Sequence, residues 1–318
     1  MGQLKNMNKK TVIQVLLIAV ITTAFILYIK KNGHAIKEAL EFKFSFLISL
    51  IALNLLNKVC LGLKTRNILK LFSINLSFVE WFGSSVVNNF YNYLAPKSGT
   101  AVVGVYLKNK HKLDYNKYLA VLITTALITI FTSGIIGAVI SIFFFPGRSF
   151  GMMTFLMLFL GMILGPMIIF WVSRFRFSGK GIFEKINKFL EGWRVLHKSF
   201  NTILFLAIMD VCTVSLMAMR YLILFNIFSV PVNFVSCVLI APFNIITHFA
   251  TFIPGAYGIK EAAVGAASAL TGISFASGAL ATLSDRVIMM ALTFVLGPIF
   301  SFILLKHGFK GKTEGNTA

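Results

Sequence analysis

The sequence predicts an all-α, polytopic integral membrane protein with about six full spans and two re-entrant or broken helices in a pseudo-inverted repeat. Hydrophobic residues make up 57% of the 318 residues and charged residues only 13%, a balance outside that of soluble domains. Apolar stretches long enough to cross a bilayer recur along the chain. Two of them are interrupted by Pro and Gly at corresponding places in its two halves.

The full spans are predicted at residues 11–29, 44–63, 118–145, 152–172, 200–228 and 276–305. The first follows Lys9 and Lys10 and has no small-residue cleavage site, so it is interpreted as a retained helix and not as a signal peptide. Residues 32–43 predict a short interfacial helix. Residues 174–199 are rich in basic residues around Trp193 and predict an amphipathic helix on the membrane surface.

The whole chain, residues 1–318, is expected to form a single membrane domain. Its first half, 1–150, contains a break at 95–99, and its second half, 151–305, contains a break at 253–261. Residues 306–318 form a basic, polar tail.

The formal net charge of +20 comes from basic residues that gather in short loops between apolar segments. This pattern indicates control of topology and contact with anionic lipid, and it argues against nucleic acid as a partner. Lys64, Arg66 and Lys70 are placed in the loop after the second span. If each broken segment returns to the side it entered, the positive-inside rule puts both termini in the cytoplasm of a bacterial or archaeal cell, as a multi-pass protein of the inner membrane.

Under that topology the first break opens to the cytoplasm and the second to the outside, as an inverted repeat requires. If the broken segments instead cross fully, the number of spans and the sides of the nearby loops change. Hydropathy alone leaves both arrangements open.

The two interruptions resemble each other. Residues 95–99 read APKSG and residues 253–261 read IPGAYGIKE, and Pro96 and Pro254 lie 158 positions apart. Corresponding interruptions in the two halves of a membrane protein point to a transporter site at the repeat interface. Two unrelated Pro kinks are the alternative.

The helices that begin after the two prolines would point their N-termini into the protein. Unpaired N–H groups and the positive end of the helix dipole favour an anion there, and glycines allow its close approach. A phosphate headgroup is the expected ligand. The candidate substrate-binding residues are Asn88, Asn92, Pro96, Lys97, Ser98, Gly99, His248, Pro254, Gly255, Gly258, Lys260, Glu261 and Arg286.

Charged residues within an apolar span are costly and face a cavity or a partner. Those placed within or near the bilayer are Glu80, Asp210, Arg220, Lys260, Glu261, Asp285 and Arg286. Under a functional interpretation, Lys260 and Arg286 bind a lipid phosphate. Coupling then involves Glu261, Asp210 or Glu80. Under a structural interpretation, Glu261 pairs with Arg286 and Asp210 pairs with Arg220.

No cluster of His, Cys and carboxylate residues has metal-ligand spacing, and no phosphate-loop or dinucleotide glycine motif occurs. We therefore expect no metal, no cofactor and no ATP-driven pump. No catalytic residue and no enzymatic activity are expected either, because only the neighbourhood of Lys260 and Glu261 offers an acid/base pair, without a partner base of clear spacing.

Residues 254–262, PGAYGIKEA, resemble a motif of the lysylphosphatidylglycerol synthase transmembrane, or flippase-like, family. Weaker resemblances to the same family lie at 94–99 with 106–108, and at Asp285-Arg286 followed by Gly297-Pro298. Together they cover nearly the whole chain. The resemblance implies the membrane translocase part of the family, without the C-terminal aminoacyltransferase domain of its larger members.

The expected function is that of an integral membrane lipid translocase, moving an anionic phospholipid or a lipid-linked headgroup between leaflets. A membrane-embedded lipid-modifying transferase and a scaffold subunit of a lipid or polysaccharide assembly system are the alternatives. The expected partners are an anionic or polyprenyl-linked lipid and the membrane. A homo-oligomer and a partner enzyme of lipid or polysaccharide synthesis remain open.

Overall fold

The computed structural model describes residues 44–144, 150–172, 199–247 and 258–310. These residues form nine α-helices and contain no strand. The helices are α1 (Phe44–Lys70), α2 (Phe78–Leu94), α3 (Ser98–His111), α4 (Tyr115–Phe144), α5 (Phe150–Val172), α6 (Phe200–Ile227), α7 (Phe234–Thr247), α8 (Ile259–Leu270) and α9 (Phe275–Lys310). The predicted span 11–29, the interfacial helix 32–43, the amphipathic helix except Ser199, and the tail beyond residue 310 lie outside the described residues.

Five of the described helices are long and apolar enough to cross a membrane. They are Ser45–Lys70, Lys117–Phe143, Gly151–Val172, Phe200–Ile227 and Phe275–Leu304. These ranges coincide with five of the six full spans predicted from the sequence. The prediction of an all-helical, multi-pass membrane protein is therefore confirmed.

Helix α1 is longer than the span predicted at 44–63. It continues through Lys64 and Arg66 to Lys70, so the prediction that these three residues lie in a loop is wrong. The physical reason is that Lys64, only 3% exposed, points into the protein. There its ammonium group contacts Asp210 of α6 and Thr129 of α4.

Helices α2 and α3 form a hairpin around the first break. Helix α2 begins with a capping box, in which the Ser77 N–H donates to Glu80 Oε2 at 2.8 Å. It ends where Ala95 adopts an extended backbone in front of Pro96, as the residue before a proline prefers. The chain then turns back, so that His111 at the end of α3 lies 2.7 Å from Glu80.

The order of elements repeats. Helices α1–α4 and α6–α9 each run as a long helix, a short helix, a break, a short helix and a long helix. Ser73 and Ser229, 156 positions apart, both have a positive φ, of 61° and 54°, and α2 and α7 also begin 156 positions apart. After the break, equivalent positions of the two halves differ by 160 in residue number. Lys112, which follows α3, and Gly272, which follows α8, both have a positive φ.

The long helices α1 and α6 cross in an antiparallel direction. Lys64 of α1 contacts Asp210 of α6, and Asn54 of α1 contacts Arg220 of α6. As the residue number rises along α1, it falls along α6. The offset of 156 relates Asn54 to Asp210 and Lys64 to Arg220, so each contact is the counterpart of the other. An inverted repeat requires this relation between its halves.

Helix α9 joins the two hairpins. It packs against α2, α3 and α8, and also against α1 and α6. Near one end of α9, Gly278 lies against Ser268 at the end of α8. Towards the other end, Phe300 stacks edge-on at 5.4 Å on Phe82, near the start of α2. The open ends of the two hairpins therefore lie at opposite ends of α9.

The interrupted ends of the hairpins converge on the middle of α9. Glu261, in the first turn of α8, contacts Arg286. Phe90, in the last turns of α2, packs at 5.4 Å on Phe294. Arg286 and Phe294 are separated by eight residues, or about 12 Å of helix.

Candidate functional site

The second break carries a cluster of buried charges. Four of its six members are cations and two are carboxylates, and together they are named the inner charge cluster: Lys58, Arg220, Lys260, Glu261, Asp285 and Arg286. Five are buried, and the side chain of Glu261 is 16% exposed. Four helices supply them, α1, α6, α8 and α9. This concentration of charge inside a membrane protein marks a candidate functional site.

Two ion pairs lie within the inner charge cluster. Arg286 Nη2 lies 2.9 Å from Glu261 Oε1 and 3.1 Å from Oε2. Arg220 Nη1 lies 3.3 Å from Asp285 Oδ1. Lys260 is within electrostatic range of both carboxylates and of Arg286 and Lys58. The pairing of Glu261 with Arg286 is the one that the structural interpretation of the sequence predicted.

Glu261 also occupies the N-terminus of α8. The Gly258 N–H donates to Glu261 Oε2 at 2.8 Å, and Gly258 has a φ of 79°, which is a favourable conformation for glycine. An anion was predicted at this helix terminus. In the structure the carboxylate of Glu261 fills that position and at the same time contacts Arg286.

The residues of the first break bind one another. The Gly99 N–H, at the start of α3, donates to Asn92 Oδ1 at 3.0 Å. Asn88 Oδ1 accepts long hydrogen bonds from Thr100 and Asn92, and Ser98 Oγ donates to the Ala95 carbonyl. A Cβ on Gly99 would lie 1.8 Å from the Asn88 carbonyl oxygen, so only glycine permits this contact. The Asn92 amide oxygen thus accepts a backbone N–H of the first turn of α3.

Pro96 and Lys97 form the turn of the first break. Pro96 is half-buried, and Lys97 is exposed with a φ of 58°. Three further predicted site residues, His248, Pro254 and Gly255, lie outside the described residues. The structure therefore gathers one predicted group at the first break and another, Gly258, Lys260, Glu261 and Arg286, at the second.

Asp210 and Arg220 do not pair with each other, so that part of the structural interpretation is wrong. They lie ten residues apart on α6, about 15 Å along the helix axis. Lys64 instead contacts Asp210, and Thr129 Oγ1 donates to Asp210 Oδ1 at 2.9 Å. These three residues are named the Lys64 triad. Arg220 with Asn54 and Asp285 is named the Arg220 triad.

Most of the chain matches a known protein family. The family model for the lysylphosphatidylglycerol synthase TM region matches residues 12–297, a range that includes both breaks and both triads. The chain belongs to this family. No curated protein and no solved structure matches it.

Membership of the lysylphosphatidylglycerol synthase TM-region family confirms the resemblance drawn from residues 254–262. It places the protein among multi-pass membrane proteins of lipid metabolism or translocation. The matched range reaches through most of α9, so all nine described helices belong wholly or largely to the family region.

In this family member, Glu80 lies away from the inner charge cluster, in the first turn of α2 and outside the five candidate spans. Burial alone would raise the pKa of its carboxyl. Hydrogen bonds from the Ser77 N–H, Tyr106, His111 and Lys110 outweigh burial and hold that pKa at about 2. Glu80 therefore ties the two ends of the α2–α3 hairpin together as a carboxylate.

Sequence reasoning missed Lys58. It lies at the middle of α1, is 2% exposed, and is within electrostatic range of Arg220 and Asp285. The signal was available, because a lysine 14 residues into an apolar span is as costly as the charged residues that were noted.

Proposed function

We propose that this protein is a lipid translocase that moves an anionic phospholipid or a lipid-linked headgroup between the leaflets of a bacterial or archaeal inner membrane, with both termini in the cytoplasm. The lipid crosses unmodified, and no bond is made or broken by the chain. Polyprenyl-linked lipids are included among the candidate cargoes.

One observation carries this proposal. The inner charge cluster lies at the second break, against the middle of α9, and the first break packs on α9 about 12 Å further along the helix. Buried charge and broken helices at the repeat interface are the features expected of a transporter site. Four buried cations against two carboxylates favour an anionic headgroup as the ligand.

The opposed hairpins supply a route to the site. In the proposed arrangement the α2–α3 and α7–α8 hairpins are re-entrant and enter the membrane from opposite faces. Movement of one hairpin relative to α9 would open the site towards one leaflet, and movement of the other would open it towards the second. The antiparallel relation of α1 and α6 supports this alternation, since inverted halves can exchange roles.

Glu261 has a specific part in this mechanism. Its carboxylate already occupies the α8 N-terminus and contacts Arg286, the two groups that a phosphate would use. An arriving phosphate displaces the carboxylate from Arg286. On departure of the lipid, the carboxylate returns to Arg286.

Reconstitution tests the proposal. The purified protein is placed in liposomes with fluorescent phospholipid or polyprenyl-phosphate lipid, and leaflet exchange is followed by quenching from outside. Lys260→Ala and Glu261→Ala should each slow exchange by about tenfold or more, the effect of losing a charged hydrogen-bonding partner. Lys117→Ala, an exposed residue in the first turn of α4, is the matched control and should exchange like the unmodified protein.

Two results would contradict the proposal. New lipid products without leaflet exchange would point to a transferase. Exchange that survives both substitutions unchanged would show that the inner charge cluster is not the translocation site.

A further inference from the structure

The inner charge cluster has an excess of positive charge. Glu261 pairs with Arg286, and Asp285 pairs with Arg220. Each carboxylate is thus set against one arginine, and the cluster contains two more cations than carboxylates. With all six groups ionised, the cluster carries a formal charge of +2. A buried charge in a membrane protein requires compensation by an opposite charge.

Lys58 contributes to this excess of positive charge without a hydrogen-bond acceptor among the described residues. Its Nζ atom is buried, and in the described part of the chain no acceptor lies within hydrogen-bond distance of it. The residue lies 14 positions from Phe44 and 12 from Lys70, so it is at mid-depth of a span. It cannot reach the membrane surface by extending its side chain, as lysines near helix ends do.

The position of Lys58 has no polar counterpart in the second half. The offset of 156 relates it to Val214, which is buried and apolar. The lysine is therefore not part of the two related triads that hold α1 against α6. The charged groups within electrostatic range of Lys58 are Arg220, Asp285 and Lys260.

We propose that Lys58 is a ligand-binding residue, whose ammonium group donates to the phosphate of a lipid headgroup held by the inner charge cluster. The inference rests on the proposed function, and it adds Lys58 on α1 as a further residue that binds the phosphate. A phosphate carries one or two negative charges and several acceptor oxygens, so it offsets one or both of the excess positive charges and supplies an acceptor for the Lys58 ammonium group.

The purified full chain in detergent tests this inference by thermal unfolding. The probes are dioctanoyl-phosphatidylglycerol, dioctanoylglycerol, which lacks the phosphate, and inorganic phosphate. The phospholipid should raise the midpoint of unfolding of the unmodified protein, and dioctanoylglycerol should not. Lys58→Met should weaken phospholipid binding by about tenfold to a hundredfold, as expected for loss of a charged hydrogen bond. Lys58→Arg should retain binding within about threefold.

Lys70→Met is the matched control. Lys70 is the exposed last residue of the same helix, and its loss should leave phospholipid binding unchanged. Without ligand, Lys58→Met should unfold at a midpoint equal to or above that of the unmodified protein, because an uncompensated buried charge is removed. A purely structural lysine would show the opposite, a lower midpoint with unchanged binding, and that result would overturn the inference.

A measurement on the unmodified protein covers the case in which Lys58→Met does not fold. Dipolar coupling between 15N-labelled lysine amines and the 31P of bound phospholipid should be reduced in Lys58→Arg, in which the coupling of Lys58 is lost and any coupling of Lys260 is kept. An undiminished coupling in Lys58→Arg would contradict the assignment. Stabilisation by inorganic phosphate with no further gain from the phospholipid would support the phosphate site and contradict the lipid source.

Two outcomes distinguish a failure of this inference from a failure of the proposed function. Phosphate-dependent binding that needs Lys58, without leaflet exchange, supports the site and contradicts translocation. Leaflet exchange that needs Lys260, with binding unaffected by Lys58→Met, supports translocation and contradicts the role of Lys58.

Discussion

Glu80 shows how a single residue holds one hairpin closed. Its carboxylate accepts from the Ser77 N–H at the start of α2 and from Tyr106 at 2.8 Å, and it lies 3.1 Å from Lys110 Nζ. All the side-chain partners come from α3. Helix α3 thus returns alongside α2 because a buried carboxylate requires donors, and the break between the two helices is kept at the far end of the hairpin.

This arrangement predicts a pH dependence of stability. The pKa of Glu80 lies at about 2, below the ordinary value of 4.5, so its contribution is fully present above about pH 4.5 and is lost as the pH falls through about 2. Glu80→Gln should lower the midpoint of thermal unfolding at pH 6, and the difference from the unmodified protein should shrink towards pH 2.5. Unfolding curves of both proteins across that range provide the measurement. A difference that stays constant with pH would show that the charge of Glu80 does not contribute.

At the level of residues, the sequence identifies costly groups but not their partners. Asp210 was recognisable as a charge inside an apolar span. Its partner Lys64 is 146 positions away and was assigned to a loop, because composition gives no sign that α1 continues past residue 63. Only the crossing of α1 with α6 brings the two side chains together.

At the level of elements, the two triads at the crossing of α1 and α6 are built alike. In each, a buried cation contacts the other helix and a carboxylate. In the Lys64 triad the carboxylate comes from the antiparallel helix, as Asp210. In the Arg220 triad the antiparallel helix supplies the amide of Asn54, and the carboxylate comes from α9, as Asp285. In both triads the cation lies on the first helix of its repeat, which is α1 for Lys64 and α6 for Arg220.

The relation between the triads predicts a rescue. Asp285→Asn should destabilise the protein by about 3 kcal/mol, because it leaves the buried Arg220 without a carboxylate. Adding Asn54→Asp should restore most of that loss, since it places a carboxylate where Arg220 already makes a contact, as Asp210 does for Lys64. The midpoints of thermal unfolding of the single and double variants measure this.

Asn57→Asp with Asp285→Asn is the control. Asn57 lies about one turn from Asn54 on the same buried side of α1, and its side-chain oxygen accepts no hydrogen bond among the described residues. Equal rescue by both carboxylates would mean that any nearby negative charge suffices, and the pairing specific to Asn54 would be disproved.

The elements themselves were largely predictable. Long apolar runs determine five described spans, and Pro96 sets the end of α2, because a proline restricts the residue before it. The offset of 156 residues between the two halves could also have been found from the sequence, since Asn54, Lys64 and Ser73 have counterparts at Asp210, Arg220 and Ser229. It is difficult to detect because the offset changes by four residues across the break.

At the level of the whole molecule, the hairpins lie with their open ends at opposite ends of α9. Lys112, after α3, and Ser274, before α9, are both exposed and should face opposite sides of the membrane. In a background without Cys60, Cys212 and Cys237, a cysteine at Lys112 should react with a membrane-impermeant maleimide only in inside-out vesicles. A cysteine at Ser274 should react only in right-side-out vesicles.

Labelling of both positions from the same side would contradict the opposed orientation of the hairpins. Lys110 and Gly272 provide second positions next to each site, and agreement within each pair separates true orientation from local shielding.

The antiparallel crossing of α1 and α6 has a consequence for the ancestry of the chain. Two copies of the second half alone, inserted in opposite orientations, would bring Arg220 of each copy onto Asp210 of the other, by the same geometry that joins Lys64 to Asp210. Such a pair would be fully charge-balanced at its crossing. A half-length precursor of dual orientation, duplicated and fused, would produce this relation between the halves. Asn54 and Lys58 would then be the positions at which the first half departs from the symmetric pair.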